Sequence, residues 1–131
     1  MLIDKFKYVA IGRETVNGKR HYVTPSGDRV ASVTTILDAT KPEESRRALA
    51  NWKQRVGEKQ AQAITTEAAN RGTRMHTYLE NYIKGAELKE SVSNPYAQQS
   101  LTMAKKVIAE GFGGISEVWG NEVPLYFPQL Y

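Results

Sequence analysis

The longest periodic stretch of the chain is residues 58–83, EKQAQAITTEAANRGTRMHTYLENYI. Its apolar residues recur at helical spacing, so we predict one long helix that turns a single stripe toward a core and ends at Gly85. The stripe consists of Ala61, Ile64, Ala68, Met75, Leu79 and Tyr82. Gly72 interrupts it, and glycine inside a helix costs about 1 kcal/mol relative to alanine. We therefore expect a break or a close contact at Gly72.

Further helices are predicted on both sides of this stretch. Ser32 can cap a short helix that runs through Leu37. Pro42 followed by two glutamates is typical of a helix start, and apolar spacing extends that helix over residues 43–56. Asn94 and Pro95 form another start, and the helix that follows should run to about Glu110.

Strands are predicted at both ends of the chain. The first segment suggests a β meander with strands at residues 6–11, 20–24 and 29–33, joined at Asn17-Gly18 and at residues 25–28. Residues 115–119 and 122–127 suggest a hairpin around Gly120-Asn121. This order predicts an α+β fold: a meander, three or four helices, and the first strands of an incomplete sheet. We expect one compact domain, with the meander and lead-in at residues 1–40 and the remainder at residues 41–131.

Composition excludes several classes of protein. The chain has 131 residues, 40% of them hydrophobic, and no cysteine. Disulfide frameworks and thiolate metal sites are therefore excluded. Apolar runs fall short of the roughly 20 residues that span a bilayer, and the amino-terminal segment lacks the apolar region of a signal peptide. We expect no membrane partner and a cytoplasmic location.

Positive charge is concentrated in the middle of the chain. The net charge is +4 overall. Residues 41–76 carry eight basic and four acidic side chains. Such a segment suits a polyanion, because Lys and Arg neutralise phosphates and release counterions. Arg46, Lys53 and Arg55 could form a phosphate-facing stripe, and a solvated helical face is the alternative.

The segment Arg71–Glu80 holds the sharpest chemical pattern. Gly72, His76 and Glu80 are four residues apart and should share one face of a helix. An imidazole and a carboxylate one turn apart can bind a divalent metal. The alternative is a surface pair worth a few tenths of a kcal/mol, and two ligands do not close a metal site. Phosphate-binding glycine loops and GxSxG nucleophile elbows are absent from the sequence.

Three segments taken in order resemble a known family. They are SVTTIL at residues 32–37, L-x2-W-x2-RVG at residues 49–57, and A-x2-RGT-x2-H-x3-E-x-Y at residues 68–82. Together they resemble the N-terminal half of RecB-like exonucleases of the PD-(D/E)XK nuclease superfamily, of the phage and mitochondrial genome-maintenance type. The resemblance covers about residues 30–131.

This resemblance implies a metal-dependent DNA exonuclease that uses Mg²⁺ or Mn²⁺. It implies that His76 is a metal ligand and that Glu80 supports the site, as a further ligand or a catalytic group. It also implies DNA as the partner and a bacterial or phage-infected cell as the location. The candidate DNA-contacting residues are Arg46, Lys53, Arg55, Arg71, Thr73 and Arg74.

The sequence departs from the family pattern in the catalytic strands. The family's remaining ligands are an Asp followed by an Asp/Glu-x-Lys, and this chain has no Asp after Asp38. Its Glu87-Leu88-Lys89 lies in the loop after the long helix, and neither Glu117 nor Glu122 is a natural replacement. We expect the front part of a longer nuclease, inactive alone. The alternative is a non-catalytic nucleic-acid-binding or assembly module. An unfinished sheet edge at residues 123–131 would also allow self-association.

Overall fold

The computed structural model describes residues 1–130 and has the predicted α+β layout. A three-stranded antiparallel sheet precedes four α-helices in this part of the chain. The strands are β1 (Gly12–Val16), β2 (Lys19–Val23) and β3 (Arg29–Ala31). The helices are α1 (Val33–Ala39), α2 (Glu43–Val56), α3 (Glu58–Ile83) and α4 (Pro95–Gly111). A short 3₁₀ turn follows at Pro128–Leu130.

The first strand lies six residues later than predicted. The turn at Asn17-Gly18 is confirmed, with φ of 51° and 75° at the two positions. This two-residue turn places Val16 opposite Lys19. Turn length fixes hairpin register, so the partner of β2 has to be the segment that enters the turn. The predicted strand at residues 6–11 is therefore wrong, and β1 occupies Gly12–Val16 instead.

Helix α1 begins at its predicted cap and lies against β2. The Ser32 hydroxyl accepts a hydrogen bond from the Thr35 amide at 3.1 Å. The Arg20 carbonyl accepts two further bonds, from the Ser32 amide at 3.2 Å and from the Thr35 hydroxyl at 2.9 Å. Ser32 is 5% exposed, so these bonds satisfy its polar groups away from water. The cap therefore also joins α1 to the sheet.

Helix α3 is continuous through Gly72, contrary to the expected break or close contact. A β-carbon added at this glycine would meet nothing within 4 Å. The predicted stripe is only partly buried: Ala61 is 3% exposed, whereas Ile64 is 41% exposed and Ala68 also lies on the surface. Helical spacing identifies a face, but the packing partner decides which part of that face is covered.

Helix α4 covers only the second half of α3. The Ser100 hydroxyl donates to the Arg71 carbonyl at 3.1 Å, and the Phe112 and Tyr82 rings lie 6.0 Å apart. The two helices therefore run in the same direction, and the first turns of α3 extend beyond the start of α4. Leu101 and Ala104 of α4 are fully buried at this contact.

The hairpin predicted at residues 115–119 and 122–127 is not formed. Val118 instead makes an isolated parallel bridge with Leu2. Its amide donates to the Met1 carbonyl at 2.7 Å, and its carbonyl accepts from the Ile3 amide at 2.8 Å. The predicted turn residue Asn121 donates its side-chain amide to the Glu80 carbonyl at 3.1 Å. The first segment of the predicted hairpin therefore pairs with the amino-terminal residues, and residues 1–130 contain no β-strand after β3, so the expected first strands of a nuclease sheet are absent from this part of the chain.

Internal contacts divide the chain into two compact units. One unit comprises Met1–Phe6 and Val56–Glu122, and the other comprises Lys7–Arg55 with the described residues from Val123 onward. The suggested boundary between residues 40 and 41 stays a prediction. None of the helices in residues 1–130 combines the length and apolar character that a membrane crossing needs.

Candidate metal and nucleic-acid site on the long helix

His76 and Glu80 lie one turn apart on α3, as predicted. The His76 side chain is 67% exposed, and its Nδ1 is 4.0 Å from Oε1 of Glu122. Glu122 has a φ of 55°, an uncommon backbone conformation for a residue with a side chain. The fold therefore brings to His76 a carboxylate that sequence reasoning had set aside. The two residues are too far apart in sequence for local spacing to reveal their proximity.

The Glu80 carboxylate forms an ion pair with a neighbouring lysine. Its Oε1 lies 3.0 Å from Nζ of Lys84, one turn further along α3. Such exposed i,i+4 pairs contribute about 0.3–0.5 kcal/mol, so the pair is weak and readily exchanged. In this arrangement the carboxylate charge is compensated by an ammonium group. A metal at Glu80 would therefore compete with Lys84.

The donors present do not complete a site for Mg²⁺ or Mn²⁺. Across residues 1–130, no cluster of three or more His, Asp or Glu side chains is placed to hold a metal ion. His76 with Glu122 offers two donors, whereas Mg²⁺ takes octahedral oxygen coordination. These residues alone therefore support no metal-dependent catalytic step.

The predicted DNA-contacting residues on α3 differ in their surroundings. Arg74 donates from Nε to the Ser100 hydroxyl at 3.3 Å, and Ser100 is fully buried. Arg71 is half-buried and its carbonyl accepts from Ser100 at 3.1 Å. Thr73 is exposed, and its carbonyl accepts from the Thr77 hydroxyl at 3.0 Å. Contacts to α4 thus position the side chain of Arg74 and the backbone of Arg71, while Thr73 has no such contact.

The three candidates on α2 are all exposed. Arg46 donates to the Asp38 carbonyl, which ties the start of α2 to the end of α1. Lys53 and Arg55 lie in the last turns of α2, where cations interact favourably with the negative end of the helix dipole. Their charged groups are exposed to solvent. This exposure is consistent with a stripe that contacts phosphates and equally with a solvated helical face.

The basic middle segment has few internal carboxylate partners. Of its eight basic side chains, only Lys41 forms an ion pair with the described residues, at 3.9 Å from Asp38. The carboxylates of Glu43, Glu44, Glu58 and Glu67 form no ion pair in this part of the chain. The excess positive charge is therefore available to an external anion.

No family model, no curated protein and no solved structure matches this chain.

Proposed function

We propose that this chain binds DNA as the N-terminal portion of a metal-dependent exonuclease of the PD-(D/E)XK type. The observation that carries the DNA-binding part is the set of basic side chains between residues 41 and 76 that lack carboxylate partners among the described residues. Unpaired Lys and Arg side chains gain most from phosphates, because no internal ion pair has to be broken first.

The exonuclease part of the proposal is supported by the resemblance and by the position of His76. This imidazole is exposed, faces a carboxylate, and shares α3 with Arg71 and Arg74. Cleavage would need further metal ligands and a water-activating group. We therefore propose that residues 1–131 bind DNA but do not hydrolyse it alone.

DNA binding is tested by fluorescence anisotropy with the purified chain and a labelled oligonucleotide. Arg71→Gln and Lys53→Gln should each weaken binding and lower the salt dependence by one phosphate contact, a log-log slope change of about 0.7–0.9. Lys89→Gln is the matched control, since Lys89 is exposed and forms no ion pair with the described residues but lies outside the basic segment. Equal effects of all three substitutions would contradict a particular role of the basic segment.

Hydrolysis is tested separately with Mg²⁺ or Mn²⁺ and a labelled DNA substrate. We expect no degradation above a chelator control. Degradation by the wild-type chain that His76→Ala abolishes would contradict the proposed inactivity of the isolated chain.

A non-catalytic nucleic-acid-binding or assembly module is the second candidate. It is favoured by the engagement of the Glu80 carboxylate with Lys84. Calorimetric titration with Mn²⁺ distinguishes the two candidates. Binding that His76→Ala weakens favours the exonuclease type, whereas DNA binding without metal binding favours the module.

A further inference from the structure

A groove runs along α3 and ends at the side chain of Tyr96, the second residue of α4. Its volume is about 600 Å³. Residues on one face of α3 line it from Lys59 to Arg74. This interval spans about 22 Å of helix at 1.5 Å per residue. We call this feature the Tyr96 groove, and it belongs entirely to the unit that contains α3 and α4.

Arg74 is held in a fixed position at one end of the groove. Its Nε donates to the Ser100 hydroxyl at 3.3 Å, and the single proton of that hydroxyl is shared between the carbonyls of Arg71 and Tyr96. Ser100 is fully buried, so the anchor is part of the helix contact. The terminal guanidinium nitrogens of Arg74 make no hydrogen bond or ion pair with the described residues. A pre-positioned guanidinium with free N–H groups matches a phosphate.

Tyr96 has an exposed side chain that lines the same groove as Arg74. Tyr96 is 60% exposed. Its backbone is fixed at both ends, because its amide donates to Asn94 Oδ1 at 2.9 Å and its carbonyl accepts from Ser100 at 3.3 Å. A ring on a fixed backbone loses little conformational freedom when a second flat group stacks on it. Tyr96 is therefore suited to an aromatic ligand.

Amide and carboxylate groups line the groove between Lys59 and Arg74. Gln62 donates to the Thr66 hydroxyl at 3.2 Å, which leaves its carbonyl oxygen as an acceptor. The Asn70 amide makes no hydrogen bond with the described residues and offers both a donor and an acceptor. Glu67 offers acceptors to exocyclic amino groups and offsets part of the positive charge of Lys59 and Arg74. This mixture fits the edge of a nucleobase better than it fits a phosphate chain alone.

We propose that the Tyr96 groove binds single-stranded nucleic acid, with an unpaired base stacked on Tyr96 and its phosphate on Arg74. The inference rests on the proposed DNA binding and adds a site and a strand preference to it. Duplex DNA hides the faces of its bases within the stack, so it can use Arg74 and Lys59 but not the ring. Stacking on aromatic side chains is the sequence-tolerant way to bind single strands.

The test compares a labelled single-stranded oligonucleotide with the blunt duplex of the same sequence, using the full chain. Tyr96→Leu should weaken single-strand binding about fivefold or more, the lower limit for loss of one stacked base. It should leave duplex binding within about twofold. Tyr96→Phe keeps the ring and should retain single-strand affinity. Phe127→Leu is the matched control, because Phe127 is 58% exposed and lies outside the groove.

The results separate this inference from the proposed function. Salt-dependent binding of both DNA forms with no effect of Tyr96→Leu would overturn the groove and leave DNA binding in place. Equal losses for single strand and duplex would also overturn it. No binding of either form would overturn both proposals. Circular dichroism checks the fold, and Tyr96→Gln serves as a second ring-free variant if Tyr96→Leu loses helicity.

Discussion

Ser32 serves two elements at once. Its hydroxyl accepts from the Thr35 amide, and its own amide donates to the Arg20 carbonyl on β2. The Ser32 hydroxyl also lies within 3.0 Å of the Thr34 hydroxyl and 2.8 Å of the Thr35 hydroxyl. Removing it would leave the amide of Thr35, a half-buried residue, without its cap.

We predict that Ser32→Ala lowers the free energy of unfolding by about 1 kcal/mol, with a range of roughly 0.5–2. Urea denaturation followed by circular dichroism measures the change. Ser32→Asp keeps a capping oxygen and should recover part of the loss. A Ser32→Ala protein as stable as wild type would mean that the cap contributes nothing to α1.

His76 should have little importance for stability. Its ring and the Glu122 carboxylate are both more than 60% exposed, and their closest atoms are 4.0 Å apart. We predict that His76→Ala changes the free energy of unfolding by less than about 0.5 kcal/mol, as expected for a surface substitution. Thermal denaturation measures it. A large loss of stability would show that His76 is structural and would weaken its use as a metal-site variant.

At the scale of elements, α3 extends beyond the part that packs against α4. Its second half is covered by α4, whereas its first turns are exposed apart from Ala61. Intrinsic helix propensity therefore matters more in α3 than in a buried helix. Gly72 is the weakest helix former within it and has open space where a β-carbon would be.

We predict that Gly72→Ala stabilises the protein by about 0.5–1 kcal/mol, because alanine restricts the unfolded chain and fits the helix. Gly18→Ala is a contrasting control, since its φ of 75° is one that side chains rarely adopt. That substitution should destabilise the protein. Both changes are measured by thermal denaturation. Destabilisation by Gly72→Ala would reveal a need for glycine that the helix contacts do not show.

The contact between α3 and α4 depends on a few buried side chains. Leu101 is fully buried and is the largest side chain in that state among the described residues. We predict that Leu101→Ala costs about 2–5 kcal/mol of unfolding free energy, from lost burial and the cavity left behind. Leu125→Ala is the control, since Leu125 is 79% exposed and should change stability little. Urea denaturation curves of the two variants check this difference.

At the scale of the whole molecule, charge is the property with the clearest consequence. The net charge is +4, and most of the basic middle segment has no internal carboxylate partner. We predict that log Kobs for DNA falls linearly with log salt, with a slope magnitude of about 0.7–0.9 per phosphate contacted. Anisotropy titrations at several salt concentrations give the slope. A slope near zero would contradict phosphate binding.

Self-association stays a proposal at this scale. The edge was predicted at residues 123–131, and the described residues 123–130 contain no β-strand. Light scattering over a range of concentrations tests it. A monomer at high concentration would count against pairing of two copies.

The helices were predictable from local signals, and the outer strands were not. Caps at Ser32 and Asn94, glycine near helix ends and regular apolar spacing located the four helices. The first strand was placed at residues 6–11 because most of these residues are apolar. The turn at Asn17-Gly18 instead fixes the register, so the residues directly before the turn form the strand. The hairpin at residues 115–127 was wrong because short apolar segments acquire a strand partner only in the folded molecule.

For the candidate site, spacing placed His76 and Glu80 on one helix face, since the helical repeat alone determines which residues share a face. The order of elements, the positions of the caps and the excess of positive charge were likewise determined by the sequence. Only the tertiary structure brought Glu122 to His76, and Tyr96 to the groove that Arg74 also lines. Contacts between residues distant in sequence, and the side-chain rotamers that complete them, depend on how α3, α4 and the segment between α4 and Glu122 pack. Local periodicity carries no information about that packing.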